Sequence, residues 1–146
     1  MTKSQRLSPI AQIAEARELS ASHILAQAQR MLSEGEERLS ELLSYRDEYQ
    51  RRLHEAGAAG LASGHMQEYL LFIAKLDQAV GSQRERLQEA ALNYEQQKVH
   101  WLALHGKTLA LDKAVERCRG EESRMDDRRE QREADERAQY AKPKSS

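Results

Sequence analysis

The chain has 146 residues, 32% of them charged and 5% aromatic, with 23 Lys and Arg against 24 Asp and Glu for a net charge of −1. Signs this evenly interleaved describe a solvated helix surface rather than the basic face of a duplex-binding protein, so nucleic acid is not an expected partner. No apolar run approaches the ~20 residues of a membrane span and no apolar leader core follows Met1, so the expectation is a soluble cytoplasmic protein.

The abundance of Ala, Glu, Arg, Leu and Gln, with the two prolines (Pro9, Pro143) near the ends, is that of a long-helix protein without strands. The length allows one domain, and a thin helical seam leaves no place for a deep pocket. Residues 1–7 are expected to be disordered. Ser8-Pro9 reads as a helix start, because serine caps free amides and proline suits the first helical position. A stripe with alternating spacings of four and three follows: Ile10, Ala14, Arg17, Ala21, Ile24, Ala28, Met31, Gly35, Arg38, Leu42, Tyr45 and Tyr49. Leu25, Leu32, Leu39 and Leu53 flank it. Arg17 and Arg38 interrupt this first arm, and Ala21, Ala28 and Gly35 are small. Small residues permit close approach but bury less area, and Gly35 costs about 1 kcal/mol of helix propensity relative to alanine. The first arm, about 8–55, is therefore expected to be the weaker one near its N-terminus.

Three glycines, Gly57, Gly60 and Gly64, then make the only strong break in the chain. A short glycine-rich connection between two heptad stripes makes an antiparallel hairpin, here with its tip at 56–63 and paired numbers adding to about 120. Leu42 is expected near Leu76, Tyr49 near Tyr69 and Ile10 near Leu111. The second arm, about 64–136, carries the clearest pattern in the chain. Its seam is Met66, Tyr69, Ile73, Leu76, Val80, Gln83, Leu87, Ala90, Tyr94, Gln97, Trp101, Leu104, Thr108, Leu111, Val115, Cys118, Glu122 and Met125. All are apolar or aromatic except Gln83, Gln97, Thr108 and Glu122. Apolar a and d positions every seven residues mark a helix that supercoils around a partner. The fold class is thus all-α, a long two-helix antiparallel coiled-coil hairpin forming a single domain over 8–138. Past about residue 118 the second arm runs out of partner. Glu121–Arg137 is almost wholly charged; it either stays helical through Glu–Arg neighbours or frays. Residues 139–146 are expected to be a disordered tail.

Catalytic chemistry is sparse. Cys118, the only cysteine, excludes an intrachain disulfide and sits at a d position as a small hydrophobe. None of His23, His54, His65, His100 and His105 are three or four residues apart, so no metal site is expected. No phosphate loop follows the glycines, and no buried carboxylate or nucleophile elbow can be placed. The expectation is no enzyme and no cofactor. Four of the seven aromatics, Tyr45, Tyr49, Tyr69 and Phe72, gather at the tip. They either lock the seam or, with Phe72 and Tyr45 just off it beside Ala79, form an exposed protein-binding patch. Trp101 at an a position reads as packing.

Tyr45-Arg-Asp-Glu-Tyr49, Phe72-Ile-Ala-Lys-Leu-Asp77-Gln-Ala-Val80 and Asp127-Arg-Arg-Glu-Gln-Arg-Glu-Ala-Asp-Glu136 resemble, in order and spacing, three landmarks of the FliJ family, small coiled-coil proteins of the flagellar type III export apparatus. The likeness runs over nearly the whole chain. It implies a stalk that docks in the hexameric export ATPase FliI, promotes its assembly and activity, contacts the export gate FlhA and escorts export chaperones. It also implies a place in the cytoplasm at the cytoplasmic face of the inner membrane, which is met only through the gate. The family's gate-binding patch maps onto Leu42, Tyr45, Tyr49, Phe72, Leu76 and Ala79, with departures at Arg38 and Gln83. Its ATPase-docking region maps onto Arg128, Arg129 and Arg132. The alternative is a generic coiled-coil adaptor or spacer with no ATPase partner.

Overall fold

The computed structural model describes residues 1–60 and 63–141. It contains two helices, α1 (Lys3–Ala58) and α2 (Ser63–Ala141), which pack against each other as an antiparallel hairpin; no strand occurs among the described residues. Cross-arm pairs include Gly35 with Leu87, Arg46 with Asp77 and Tyr49 with Tyr69. Their numbers add to about 120, the register that a tip near residue 60 requires. Contacts gather into two compact units where one domain was expected: Met1–Ser20 with the described residues from Leu102 onward, and Ala21–Trp101. A seam has no globular centre, so its contacts are local to each level of the hairpin.

α1 begins earlier than Ser8-Pro9 suggested, and the expected disorder over 1–7 is not found. Thr2 and Gln5 form a capping box. The Gln5 amide donates to Thr2 Oγ1 (3.3 Å), and the Thr2 amide donates to Gln5 Oε1 (3.1 Å). α2 supplies a further acceptor: Glu122 receives the Ser4 amide (3.1 Å) and the Ser4 hydroxyl (2.6 Å). With these first-turn donors satisfied, the helix starts at Lys3 and carries Pro9 inside it. At the other end α1 runs to Ala58, and Gly60 takes the left-handed conformation (φ 71°) that ends a helix without steric cost. Gly57 and Gly64 remain helical. Leu61 and Ala62 of the expected tip, and residues 142–146 of the expected tail, lie outside the described residues. α2 continues through 139–141, which were assigned to that tail.

The seam of α2 falls where its periodicity places it. Every position from Met66 to Glu122 in the 3-4 series is buried or half-buried, with Val80 only 2% exposed; Met125 alone is exposed. Three of its four polar members have partners that explain them. Gln83 Nε2 donates to the Gly35 carbonyl across the seam (3.1 Å). Thr108 Oγ1 donates to the Leu104 carbonyl one turn back (3.0 Å). Glu122 holds Ser4. Gln97 bonds only its own helix, at Asn93.

The seam of α1 requires a correction. One row, Ala14, Ala21, Ala28, Gly35, Leu42, Tyr49 and Ala56, does face inward. The second inward row is Ala11, Glu18, Leu25, Leu32, Leu39, Arg46 and Leu53, one residue later than expected. Ile10, Arg17, Ile24, Met31, Arg38 and Tyr45 are exposed. From any inward residue a heptad can step by three or by four, and both choices here contain large apolar side chains. Pairing with α2 selects the row holding four leucines, so neither Arg17 nor Arg38 interrupts the seam.

Two measurements check this packing. Leu76→Ala is expected to lower stability by about 2–4 kcal/mol in denaturant unfolding, as for other buried leucines. Met31→Ala is expected to stay within about 0.5 kcal/mol of the parent, as an exposed substitution does. The second prediction concerns pH. Glu122 is held below its ordinary value of 4.5 by the Ser4 hydroxyl first and the Ser4 amide second. A carboxyl lowered on folding contributes its stabilisation in full above the ordinary value and loses it as pH falls through the lowered one. First-turn amides of α1 are therefore expected to lose protection on going from neutral pH to strong acid. In Glu122→Gln that change, read by hydrogen exchange corrected for intrinsic rate, should disappear.

Candidate functional site

The aromatic flank lies within the unit Ala21–Trp101. Tyr49, on the inward row of α1, is its centre. Its ring is 4.3 Å from that of Phe72, tilted by 47°, and 6.1 Å from that of Tyr69, tilted by 55°. Tilted pairs at these separations contribute roughly 0.5–1.5 kcal/mol each beyond burial. Arg52 covers another face of the Tyr49 ring at 5.0 Å and is anchored by Glu48 at 2.8 Å. Phe72 sits one residue before the seam position Ile73 and keeps 40% of its surface exposed. Its ring is thus held on one side by Tyr49 and open on the other.

The remaining patch residues divide by depth. Leu76 is buried and supports the flank from beneath; Leu42 and Ala79 are half-buried; Tyr45 is 55% exposed on the outward row beside Leu42 and Tyr49. The contact of Tyr49 with Phe72 puts the outward row of Tyr45 and the outward row of Phe72 and Ala79 on the same flank. The opposite flank is different in character. There Arg46 reaches Asp77 at 3.4 Å, while its buried Nε has no partner among the described residues. Tyr49 and Tyr69 pack at the tip, whereas Phe72 and Tyr45 are partly exposed. Leu70 and Leu71 are also exposed, Leu70 one heptad before Asp77 of the opposite flank, and were not singled out from the sequence. Two adjacent leucines outside a 3-4 seam are the signal that marks them.

The second region belongs to the unit of Met1–Ser20 and the residues from Leu102 onward. His105 Nδ1 pairs with Glu18 of α1, whose side chain is mostly buried. Cys118 is a half-buried free thiol. After Glu122 every described residue is exposed, so α2 continues with no residue of α1 beside it. The charged stretch is helical, held within itself by bonds such as Gln131 to Asp135 and Arg137 to the Glu133 carbonyl. Arg128, Arg129 and Arg132 border a shallow hollow on this helix with Met125, Glu133 and Glu136. They lie along one side of one helix. They do not converge on a ligand-sized cavity, and they are in a different unit from the aromatic flank. Among the described residues no cluster of His, Cys, Asp and Glu is arranged to hold a metal ion, and no helix is long and apolar enough to cross a membrane.

Comparison with known proteins follows the same outline. The family model described as "Flagellar FliJ protein" matches residues 2–144. The Flagellar FliJ protein of Escherichia coli (strain K12) is 28% identical over 89 residues, which cover 61% of this chain and 60% of that protein's length. The aligned part of the chain thus spans less than two thirds of that relative. No solved structure matches. With a family match over nearly its full length, the chain belongs to the FliJ family of flagellar proteins.

Proposed function

We propose that this chain is the stalk-like component of the flagellar type III export apparatus, working in the cytoplasm at the inner-membrane face. In this reading it docks in the hexameric export ATPase FliI, promotes its assembly and activity, contacts the export gate FlhA and receives export chaperones. The observation that carries the reading is the overhang. α2 extends past its last cross-arm partner, Glu122, to Ala141 as a fully exposed helix. A lone charged helix buries almost nothing and has little reason to persist unless a ring of subunits receives it. Arg128, Arg129 and Arg132 are the residues proposed to meet the ATPase. Guanidinium groups suit that role because they form forked hydrogen bonds to carboxylates.

The second contact is proposed at Leu42, Tyr45, Tyr49, Phe72, Leu76 and Ala79, against the export gate. Exposed rings on a rigid, otherwise charged surface are what binding hot spots are made of. Leu76 and Tyr49 would act from beneath by holding Phe72 in place. No catalytic residue and no cofactor are proposed; the chain acts through its surfaces.

The test uses purified export ATPase and gate. Adding this chain is expected to raise ATPase turnover and hexamer assembly, and Arg128→Glu/Arg129→Glu/Arg132→Glu is expected to remove that effect without altering helicity. A chain that leaves the ATPase unchanged is a spacer, and the reading fails. Phe72→Ala is expected to weaken gate binding about tenfold or more, a hot-spot cost, with the ATPase effect intact. Earlier melting with unaltered gate binding would instead make Phe72 a packing residue. Amides over 127–136 are expected to exchange fast in the free chain and slowly in the ATPase complex; equal rates in both states count against docking there.

A further inference from the structure

The flank that carries Tyr45 and Phe72 does not stop at the aromatic patch. Down the unit Ala21–Trp101, the outward row of α1 continues as Arg38, Met31 and Ile24, each seven residues from the last, and the matching row of α2 continues as Arg86. Between these rows lies a groove of about 300 Å3 bordered by Met31, Glu34, Gly35 and Arg38 from α1 and Gln83, Arg86, Leu87 and Ala90 from α2. Gly35 lets the backbone of α1 approach α2 closely at this level: an added Cβ would lie 3.0 Å from Leu87 Cδ2 and 3.4 Å from Gln83 Nε2. Gln83 Nε2 donates one of its hydrogens to the Gly35 carbonyl at this point.

The banks of the groove carry two unspent features. Met31 and Ile24 are 56% and 49% exposed, although they are large and apolar. Arg38 and Arg86, one on each bank, are exposed and form no ion pair among the described residues. The rows bordering the two sides of the hairpin differ in charge. On this flank, between Ile24 and Asn93, they hold only Arg38, Arg52 and Arg86; on the opposite flank Glu36 and Asp77 stand with Arg84. Acids are present on this side too: Glu34 lines the groove beside Arg38, Glu41 and Glu48 follow it at heptad spacing on α1, and Glu48 pairs with Arg52, which leaves Arg38 and Arg86 against the single Glu34 at the groove.

We infer that this groove is a docking site for an amphipathic α-helix of a protein partner, laid along the two arms, with carboxylates beside its apolar stripe. The inference extends the aromatic-flank reading above towards the arms and names the chemistry of what binds. Apolar residues at heptad spacing match another helix rather than an extended strand, whose side chains repeat every two residues. A large side chain of the incoming helix seats over Gly35 between Met31 and Ala90. Its carboxylates reach Arg38 on one bank and Arg86 on the other. Met31 and Ile24 then become the buried edge of a three-helix contact.

The test uses the full chain and two synthetic helical peptides of about three heptads, with leucine at a and d and either glutamate or lysine at e and g. The glutamate peptide is expected to bind saturably, and the lysine peptide about tenfold more weakly, since like charges would face each other. Met31→Asp should abolish binding of the glutamate peptide. Arg38→Glu/Arg86→Glu should reverse the preference between the peptides. All three sites are exposed, and circular dichroism confirms that each variant keeps its helicity. Equal binding of both peptides, or indifference to Met31→Asp, overturns the inference. So does capture of the chain by phosphatidylglycerol vesicles, through Arg38 and Arg86, in place of either peptide. These outcomes stand apart from the gate assay. A chain whose gate binding falls with Phe72→Ala but whose peptide binding ignores Met31→Asp loses only this inference, and the converse removes only the gate contact.

Discussion

The structure depends on the close approach of the two helices along a seam in which small faces large. Gly35 touches Leu87 so tightly that no methyl group fits between them without a shift. Stepping by seven from that contact brings Ala28 level with Tyr94 and Ala21 level with Trp101. A coiled coil of uniform leucines has no preferred register, because every heptad matches every other. Alternating small and large residues between arms removes that degeneracy: sliding by one heptad would set Leu42 level with Leu87 and leave a void elsewhere. The glycine that lowers helix propensity in α1 is therefore also the residue that fixes how the arms meet.

Polar groups in the seam reinforce the same register. Gln83 can bond the Gly35 carbonyl only at this alignment. Glu122 reaches the free amides of the first turn of α1, where the partial positive charge of a helix N-terminus favours a carboxylate. These bonds are directional, so they discriminate among alignments that apolar burial alone would rate alike. They also set where cross-arm pairing ends. Beyond Glu122 every described residue of α2 is exposed, and the helix proceeds as a charged one.

Close packing has a second consequence. Because α1 turns its small residues inward, several of its large apolar ones stand outside, at Ile24, Met31 and Tyr45. A monomeric hairpin gains nothing from them, and a row of them at heptad spacing is a seam without its second helix. Phe72, held by Tyr49, belongs to the same flank. These exposed apolar rows are thus a by-product of the rule that builds the core: the rows next to the seam inherit its period.

The sequence by itself determined the two helices, their antiparallel pairing and the seam of α2 from Met66 to Glu122. Apolar residues alternate there in steps of three and four, and a single glycine cluster separates the two arms. It also determined that Phe72 would sit beside the seam, since one residue before a buried a position is necessarily at its edge. Tertiary structure alone decided which of two equally apolar rows of α1 turns inward. Leu25, Leu32 and Leu39 compete there with Ile24, Met31 and Tyr45, and the choice rests on what α2 presents opposite. It alone supplied the partners of Gln83, Glu122 and His105, because a polar residue in a stripe gives no sign of which atom across the chain will satisfy it. The start of α1 was partly legible, in the Thr2 and Gln5 spacing. What holds that turn to the other arm, Glu122, is more than a hundred residues away in sequence, and only folding brings it to Ser4.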